Sequence, residues 1–180
     1  MSQSGDLTAA TIVNEYDLDS LTKVFREYGE VKQAFQLAKR IEMKRADRKL
    51  KSIADLDKLI EQMGLPRSVK IAQFKAKVFQ ALRIEVNQEM EVIKEMLEAA
   101  VEVLKPGGRL VVISYHSLED RLVKNFFKKG KFEGELEKDF YGNPIKPLNE
   151  ITRKPLLPSQ EEIETNPRAR SAKLRIAEKA

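Results

Sequence analysis

The chain has 180 residues, of which 42% are hydrophobic and 34% charged, with a formal net charge of +5. This size suits one ordinary domain or a small domain with a helical module, and charges of mixed sign indicate a globular chain. The chain has no cysteine, which excludes disulfides, zinc–thiolate sites and cysteine nucleophiles. The modest basic excess is compatible with a nucleic-acid partner but does not require one.

No targeting or membrane segment is predicted. Residues Met1–Ala10 have neither a basic region nor an apolar core, so they do not resemble a secretory signal peptide. No apolar run approaches the roughly 20 residues that a membrane-spanning helix needs. We therefore expect a cytoplasmic protein without a membrane partner.

The first part of the chain is predicted to be helical. Asp17 can cap a helix whose apolar residues recur at helical spacing, and Gly29 is well placed to end it. A second helix is predicted from about Glu30, with one apolar stripe and a basic opposite face. Ser52 and Asp55 resemble a capping box at the start of a third helix. These segments predict a compact helical module.

The second part is predicted to be built around the strand Leu110–Tyr115, which two helical segments precede. Its hydrophobic residues are continuous rather than alternating, which is typical of a strand inside a parallel sheet with helices on both faces. Ser117, with Asp120 three residues later, can cap the next helix, and Gly130 can end it.

The C-terminal third offers few further strands. Residues 131–150 are rich in Gly, Pro, Asn and charge and indicate a loop. Ile151–Leu157 is predicted to be a short strand, Glu161–Glu164 one helical turn and Ala172–Glu178 an edge-like strand. An all-parallel sheet cannot be completed from these segments. Either the chain is a fragment, or another polypeptide covers the open sheet edge.

Gly107 and Gly108 do not form a phosphate-binding loop in this interpretation. They precede a strand, whereas such a loop lies between a strand and a helix, whose N-terminal amides hold the phosphate. We interpret them as a helix C-cap and a tight turn into the strand.

His116 is the only histidine and follows the central strand directly. At the carboxyl end of a strand, where open α/β sheets bind ligands, it could act as a general base or bind a substrate. Alternatively, it is a helix-start residue that satisfies backbone groups, with Ser117 as the cap.

Two sets of basic residues are candidate phosphate contacts. Arg168 and Arg170 could hold phosphate at a turn, or be solvated charges there. The second set is a basic helix face that could follow an RNA backbone or be merely solvated, and it comprises Lys39, Arg40, Lys44 and Arg45. We expect no metal site.

Four segments together resemble the MraW/RsmH family of bacterial methyltransferases, and the match covers nearly the whole chain in order and spacing. They are REYGE (Arg26–Glu30), FQALRIEVN (Phe79–Asn87), LKPGGRLVVISYHSLEDR (Leu104–Arg121) and NPRARSAKLRIAE (Asn166–Glu178). Gln73–Lys77 departs from the His-Pro-Ala-Thr-Arg-like segment usual in the family, which puts any role of that segment in question here.

The resemblance implies an enzyme that uses S-adenosylmethionine to methylate the N4 amine of a cytidine in small-subunit (16S) ribosomal RNA. It implies an α/β fold, namely the second half of a doubly wound methyltransferase sheet, about three strands, with an all-helical inserted module. By resemblance the RNA-facing module covers residues 1–77 and the C-terminal half of the Rossmann-like domain covers 78–180. Met1–Gln3 resembles a point inside the family sequence, so we expect the cofactor-binding residues in a missing N-terminal half and none in this chain.

The resemblance also implies a shared site. A cytosine must leave its base stack, and its amine must be positioned and lose a proton. This chain would supply the helical module and one wall of the pocket, with His116, Ser117 and Arg121 at the rim and His116 as the single candidate proton acceptor. Expected partners are the small ribosomal subunit and the missing half, or another chain at the sheet edge. The alternative is a non-catalytic RNA-binding or ribosome-associated module.

Overall fold

A computed structural model describes residues 7–180, and the predicted match at Met1–Gln3 lies outside the described residues. The chain divides into two compact units between Glu89 and Met90. Within the described chain no helix is long and apolar enough to cross a membrane.

The first unit is helical, as predicted. Its elements in the described chain are α1 (Ala9–Glu15), α2 (Leu18–Glu27), α3 (Ala34–Asp47), α4 (Ile53–Glu61) and α5 (Ile71–Val86).

The caps predicted for two of these helices are confirmed. The Asp17 side chain accepts a hydrogen bond from the Ser20 amide at the start of α2, and Ser52 forms a reciprocal capping box with Asp55 on α4. The helix predicted from about Glu30 begins later, at Ala34, because Glu30 has a left-handed φ of 48° that no α-helix accommodates.

Helix α5 packs into the core of the first unit. Gly29, after α2, is buried so close to α5 that an added Cβ would lie 2.8 Å from the Lys77 carbonyl oxygen. Phe74 and Val78 of α5 are buried in the same cluster as Leu21 of α2. The compact unit therefore extends beyond residue 77. The assignment of residues 1–77 and 78–180 to separate functional parts stays a prediction.

The second unit is a small mixed α/β structure. Its elements are α6 (Glu89–Val103), β1 (Arg109–Ser114), α7 (Ser117–Lys129), β2 (Leu148–Glu150), α8 (Gln160–Thr165), a 3₁₀ turn (Pro167–Ser171) and β3 (Lys173–Lys179). The predicted fold class is confirmed as α/β, with three strands and a helical module, and the single helical turn predicted at Glu161–Glu164 lies within α8.

The sheet has the strand order β1-β3-β2, and both pairings are antiparallel. The expected parallel arrangement is therefore wrong for these strands. The segment predicted as an edge-like strand is β3, the central strand. The strand predicted at Ile151–Leu157 is also wrong, because β2 ends at Glu150 and Leu156 forms only an isolated bridge to Leu174. Pro155 lacks an amide hydrogen and so cannot extend a ladder through that segment.

Strand β1 is covered on one face only, which corrects the expectation of two buried faces. Leu110 and Val112 pack against the cluster that α6 and α7 form. Val111 and Ile113 point to the other face, where each is 53% exposed. Among residues 7–180, β1 pairs only with β3, so its outer edge has no strand neighbour. Within the described residues, only one of the two apolar faces of β1 is therefore buried.

Several contacts stabilise the hydrophobic core of the second unit. Its fully buried side chains include Leu97 of α6 and Phe127 of α7. The Lys179 ammonium donates to the carbonyls of Val101 and Leu104, at 2.7 Å each, which ties the end of β3 to the C-terminus of α6. Gly130 ends α7 in a left-handed conformation, as predicted.

Gly130→Ala should destabilise the fold more than Gly107→Ala. Both glycines have positive φ, 72° and 77°, so alanine meets similar backbone strain of about 1 kcal/mol at either position. Only at Gly130 would the new Cβ also lie 2.7 Å from Pro147 Cδ, whereas nothing lies within 4 Å at Gly107. We expect the urea-unfolding free energy of Gly130→Ala to fall about 1–3 kcal/mol further than that of Gly107→Ala. Equal losses of unfolding free energy in the two variants would contradict the close packing at Gly130.

Candidate functional site

The antiparallel pairing of β1 with β3 brings two predicted sets of residues to one end of the sheet. Ser114, the last residue of β1, pairs with Lys173, the first residue of β3. The residues that follow β1 enter α7, and those that precede β3 form the 3₁₀ turn. We call this end the β1 rim, residues 114–121 and 166–175. It holds His116, Ser117, Arg121, Arg168 and Arg170, whereas the basic residues of α3 belong to the first unit.

His116 is the N-cap of α7. Its Nδ1 accepts from the Glu119 amide at 3.4 Å, and the Glu119 carboxylate accepts from the amides of Tyr115 and His116 at 2.8 and 3.3 Å. This reciprocal box needs a carboxylate three residues after the cap, and Glu119 meets that requirement for His116. The cap predicted at Ser117 with Asp120 is therefore one residue too late, and Ser117 is the first residue of α7.

The other ring nitrogen of His116 also faces Glu119. His116 Nε2 lies 3.1 Å from Glu119 Oε1, an ion-pair distance when the ring is protonated. The two atoms are not aligned for a hydrogen bond, and Nε2 is buried without another partner among the described residues. A general base must reach the proton that it accepts. The geometry of this chain therefore favours the capping role of His116 over a role as a base.

Glu119 remains ionised in this arrangement. Its burial raises the carboxyl pKa, but the adjacent His116 side chain and the hydrogen bonds from the amides of Tyr115 and His116 outweigh burial, so the pKa lies below its ordinary value. Glu119 is thus committed to holding the start of α7.

A buried ion pair lies within the β1 rim. Arg175 is 4% exposed, and its Nε and Nη2 donate to the two carboxylate oxygens of Asp120 at 2.7 and 3.2 Å. Lys173 Nζ lies 3.6 Å from the same carboxylate. Burial raises the Asp120 pKa, but the hydrogen bond and charge of Arg175, with the charge of Lys173, lower it on balance. The pair fastens α7 to the central strand.

The sequence did not predict this pair, because the alternation in the strand sets Leu174 and Ile176 on an apolar face and Arg175 on the opposite, charged face. The structure buries the opposite face, where Arg175 alternates with Ala177, which is 0% exposed. Ala177 is the one signal that could have identified this face, because a small apolar residue there suits close packing under α7.

The remaining arginines of the rim lie at its surface. Arg168 and Arg170 are exposed on either side of the buried Ala169 in the 3₁₀ turn. Arg121 is exposed on the second turn of α7. All three residues are exposed, as a phosphate contact requires.

The basic residues predicted on one face of α3 differ in their surroundings. Arg45 Nη1 donates to the Val13 carbonyl at 3.1 Å and so fastens α3 to α1. Arg40 and Lys44 line a groove between α3 and α4, whereas Lys39 is exposed outside it.

The Gly107–Gly108 turn and the start of α7 do not fit an S-adenosylmethionine site. The Gly107 amide donates to the Lys179 carbonyl at the end of β3 and the Gly108 amide to the Lys105 carbonyl, so both amides already have partners within the chain. The first turn of α7 is likewise satisfied by its own cap. In the described part of the chain, no three His, Cys, Asp or Glu side chains cluster as metal ligands would.

Comparison with known proteins decides the family. The model of the MraW methylase family matches residues 1–180. The chain belongs to the MraW methylase family. Similar proteins include those named "Ribosomal RNA small subunit methyltransferase H" from Amoebophilus asiaticus, Flavobacterium johnsoniae and Bacteroides thetaiotaomicron, at 51%, 54% and 53% identity over 99% of this chain. This MraW-family chain spans only 57–58% of the length of these three relatives.

Asp120→Asn should strongly destabilise this MraW-family chain, because it leaves the buried charge of Arg175 uncompensated. We expect a loss of about 3 kcal/mol in the urea-unfolding free energy. The matched control is Arg109→Ala, which breaks the pair between Arg109 and Glu178, whose side chains are 67% and 41% exposed. It should cost less than about 1 kcal/mol.

The pH dependence gives a second readout of the same pair. The Asp120 pKa is lower in the folded chain than its ordinary value of 3.8. The unfolded chain therefore binds the proton more readily than the folded chain. The pair stabilises the fold at pH values above the ordinary pKa, and this stabilisation is lost as the pH falls through the Asp120 pKa of the folded chain. Asp120→Asn should flatten the acid limb of the stability profile. An unchanged acid limb would contradict the assignment.

The capping role of His116 predicts different outcomes for two substitutions. His116→Asn keeps a side-chain acceptor at the N-cap and should leave stability nearly unchanged, whereas His116→Ala should lose about 1 kcal/mol. Thermal unfolding followed by circular dichroism measures both. If alanine and asparagine prove equivalent, the cap does not stabilise α7.

Proposed function

We propose that this chain is part of an enzyme that transfers a methyl group from S-adenosylmethionine to the N4 amine of a cytidine in small-subunit ribosomal RNA. The observation that carries the proposal is the MraW methylase match over residues 1–180, supported by relatives whose names specify small-subunit ribosomal RNA methylation. Because that substrate is ribosomal, we place the protein in the cytoplasm, with the small ribosomal subunit as its partner.

The open face of the sheet supports the view that this chain acts with further structure. Val111, Ile113 and Leu156 are 53%, 53% and 54% exposed there. Covering a side chain of this type is worth about 1.5–3 kcal/mol when burial is complete. An unpaired edge beside them is a template for another strand. We propose that the part of the family enzyme absent from this chain covers this face and edge and binds the cofactor.

The residues of this chain would then act on the RNA. The lone pair of a cytosine amine is delocalised into the ring, so the amine needs precise positioning and a proton acceptor, and the base must leave its stack. Arg121, Arg168 and Arg170 would hold phosphates near the target nucleotide, with Ser117 as a further contact. His116 would keep α7 in place through Glu119, and the proton acceptor would lie outside the described residues.

A non-catalytic RNA-binding module is the second candidate. The observation in its favour is that the first unit has its own hydrophobic core and a basic groove. Under this function, the chain would bind RNA without contributing to methyl transfer.

Complementation of methyl transfer tests the proposed function. Small ribosomal subunits lacking the modification are incubated with S-adenosylmethionine labelled in the methyl group. We expect no transfer with this chain alone, none with the separately produced N-terminal part of the Bacteroides thetaiotaomicron relative, and transfer with both. A matched reaction with Arg168→Glu/Arg170→Glu should lose most of the transfer. RNA binding without transfer in the mixture would favour the second candidate, and transfer by this chain alone would show that the cofactor site is misplaced.

A further inference from the structure

A groove between α3 and α4 in the first unit concentrates positive charge. Its volume is about 940 Å³. Five cationic side chains line this α3–α4 groove: Arg40, Lys44, Arg48, Lys49 and Lys58. Two of them come from α3, two from the connection and one from α4, so the cluster exists only in the folded unit.

Two carboxylates in the α3–α4 groove offset only part of this charge. Asp55 accepts hydrogen bonds from the Lys51 amide and from the amide and hydroxyl of Ser52, and these bonds hold its pKa below the ordinary value. Its Oδ2 is therefore committed to the capping box on α4. Asp47 is the other carboxylate. None of the five cations forms an ion pair with a described residue.

The stability of α3 does not explain the cluster. Lys44 lies in the last turn, where a cation interacts favourably with the helix dipole. Lys58 lies in the last turn of α4 and has the same benefit there, whereas Lys49 lies in the connection between the two helices. Arg40 and Lys44 are four residues apart on one helix face, an arrangement of like charges that disfavours the helix. The groove thus gathers cations beyond those that the fold requires.

The chemistry of the groove fits a polymer of phosphates. Unpaired lysine and arginine side chains along a channel can neutralise successive phosphates and release their counterions. Met43, 64% exposed on the same wall, offers apolar surface for a sugar or base. We propose that the α3–α4 groove binds the phosphate backbone of RNA, an inference that rests on the proposed function for its choice of polyanion. The groove includes Arg40 and Lys44 of the basic face predicted on α3. Lys39 lies outside the groove, and Arg45 bonds to α1.

Two charge-matched variants of the full chain test this proposal. The groove variant is Arg40→Gln/Lys44→Gln/Lys58→Gln. The control variant removes three exposed cations of the same unit that lie outside the groove, Lys23→Gln/Lys32→Gln/Lys70→Gln. Binding of a fluorescently labelled stem-loop of small-subunit ribosomal RNA is measured by anisotropy between about 50 and 200 mM salt. Circular dichroism establishes that all three proteins have the same helicity and melting temperature.

We expect the groove variant to bind about tenfold or more weakly, with the slope of log K against log salt reduced by roughly 0.7–0.9 for each lost phosphate contact. The control variant should stay close to the native chain. Equal affinity and slope for the two variants would overturn the groove assignment alone, because the native chain would still bind RNA. If polyglutamate of similar length binds the groove as tightly as the RNA, the proposal of an RNA site is overturned. If the native chain binds no RNA, both the groove assignment and the proposed function are overturned.

Discussion

The buried ion pair between Asp120 and Arg175 is the interaction on which the second unit depends. A buried guanidinium is tolerated only when a carboxylate compensates it. Here the carboxylate comes from the first turns of α7 and the guanidinium from β3, so the pair fixes the helix on the central strand. The register of β1 against β3 then places the end of β1 beside the start of β3. The β1 rim follows from this register, and the ion pair and the His116 cap hold α7 beside it.

The same arrangement leaves the face of the sheet that carries Val111 and Ile113 exposed to solvent. Helices α6 and α7 cover Leu110 and Val112 but not Val111 and Ile113. A strand with a continuous apolar sequence suits a sheet covered on both faces. The chain spans less than three fifths of the relatives that share its family. The half-covered strand and the partial length support the same proposal, in which further structure of the family enzyme completes the sheet and the pocket.

Local sequence signals predicted the helices and several of their ends well. Asp17, the Ser52–Asp55 box and Gly130 act through contacts within a few residues, so their chemistry is readable from spacing alone. The position of β3 in the sheet was not predictable in this way, because strand order depends on long-range pairing. The burial of Arg175 depends on a partner 55 residues away.

The candidate site was predicted only in part, because some of its contacts are local in sequence and others depend on long-range packing. Four segments in order identified the family, and they include His116 and the arginines of the NPRARS turn. The sequence did not distinguish a histidine that caps a helix from one that accepts a proton, because both roles suit the end of a strand. Nor did it separate Arg45, which bonds to α1, from Arg40 and Lys44, which line the α3–α4 groove. Such distinctions need the direction of each side chain.

Amide hydrogen exchange of β1 tests most directly whether this sheet is completed by another part of the enzyme. Exchange across Arg109–Ser114 would be followed by mass spectrometry in this chain alone and in a mixture with the N-terminal part of the Bacteroides thetaiotaomicron relative. The account predicts marked slowing in β1 and little change in α3, which serves as the internal reference. Unchanged exchange in β1 in a mixture that transfers methyl groups would contradict it.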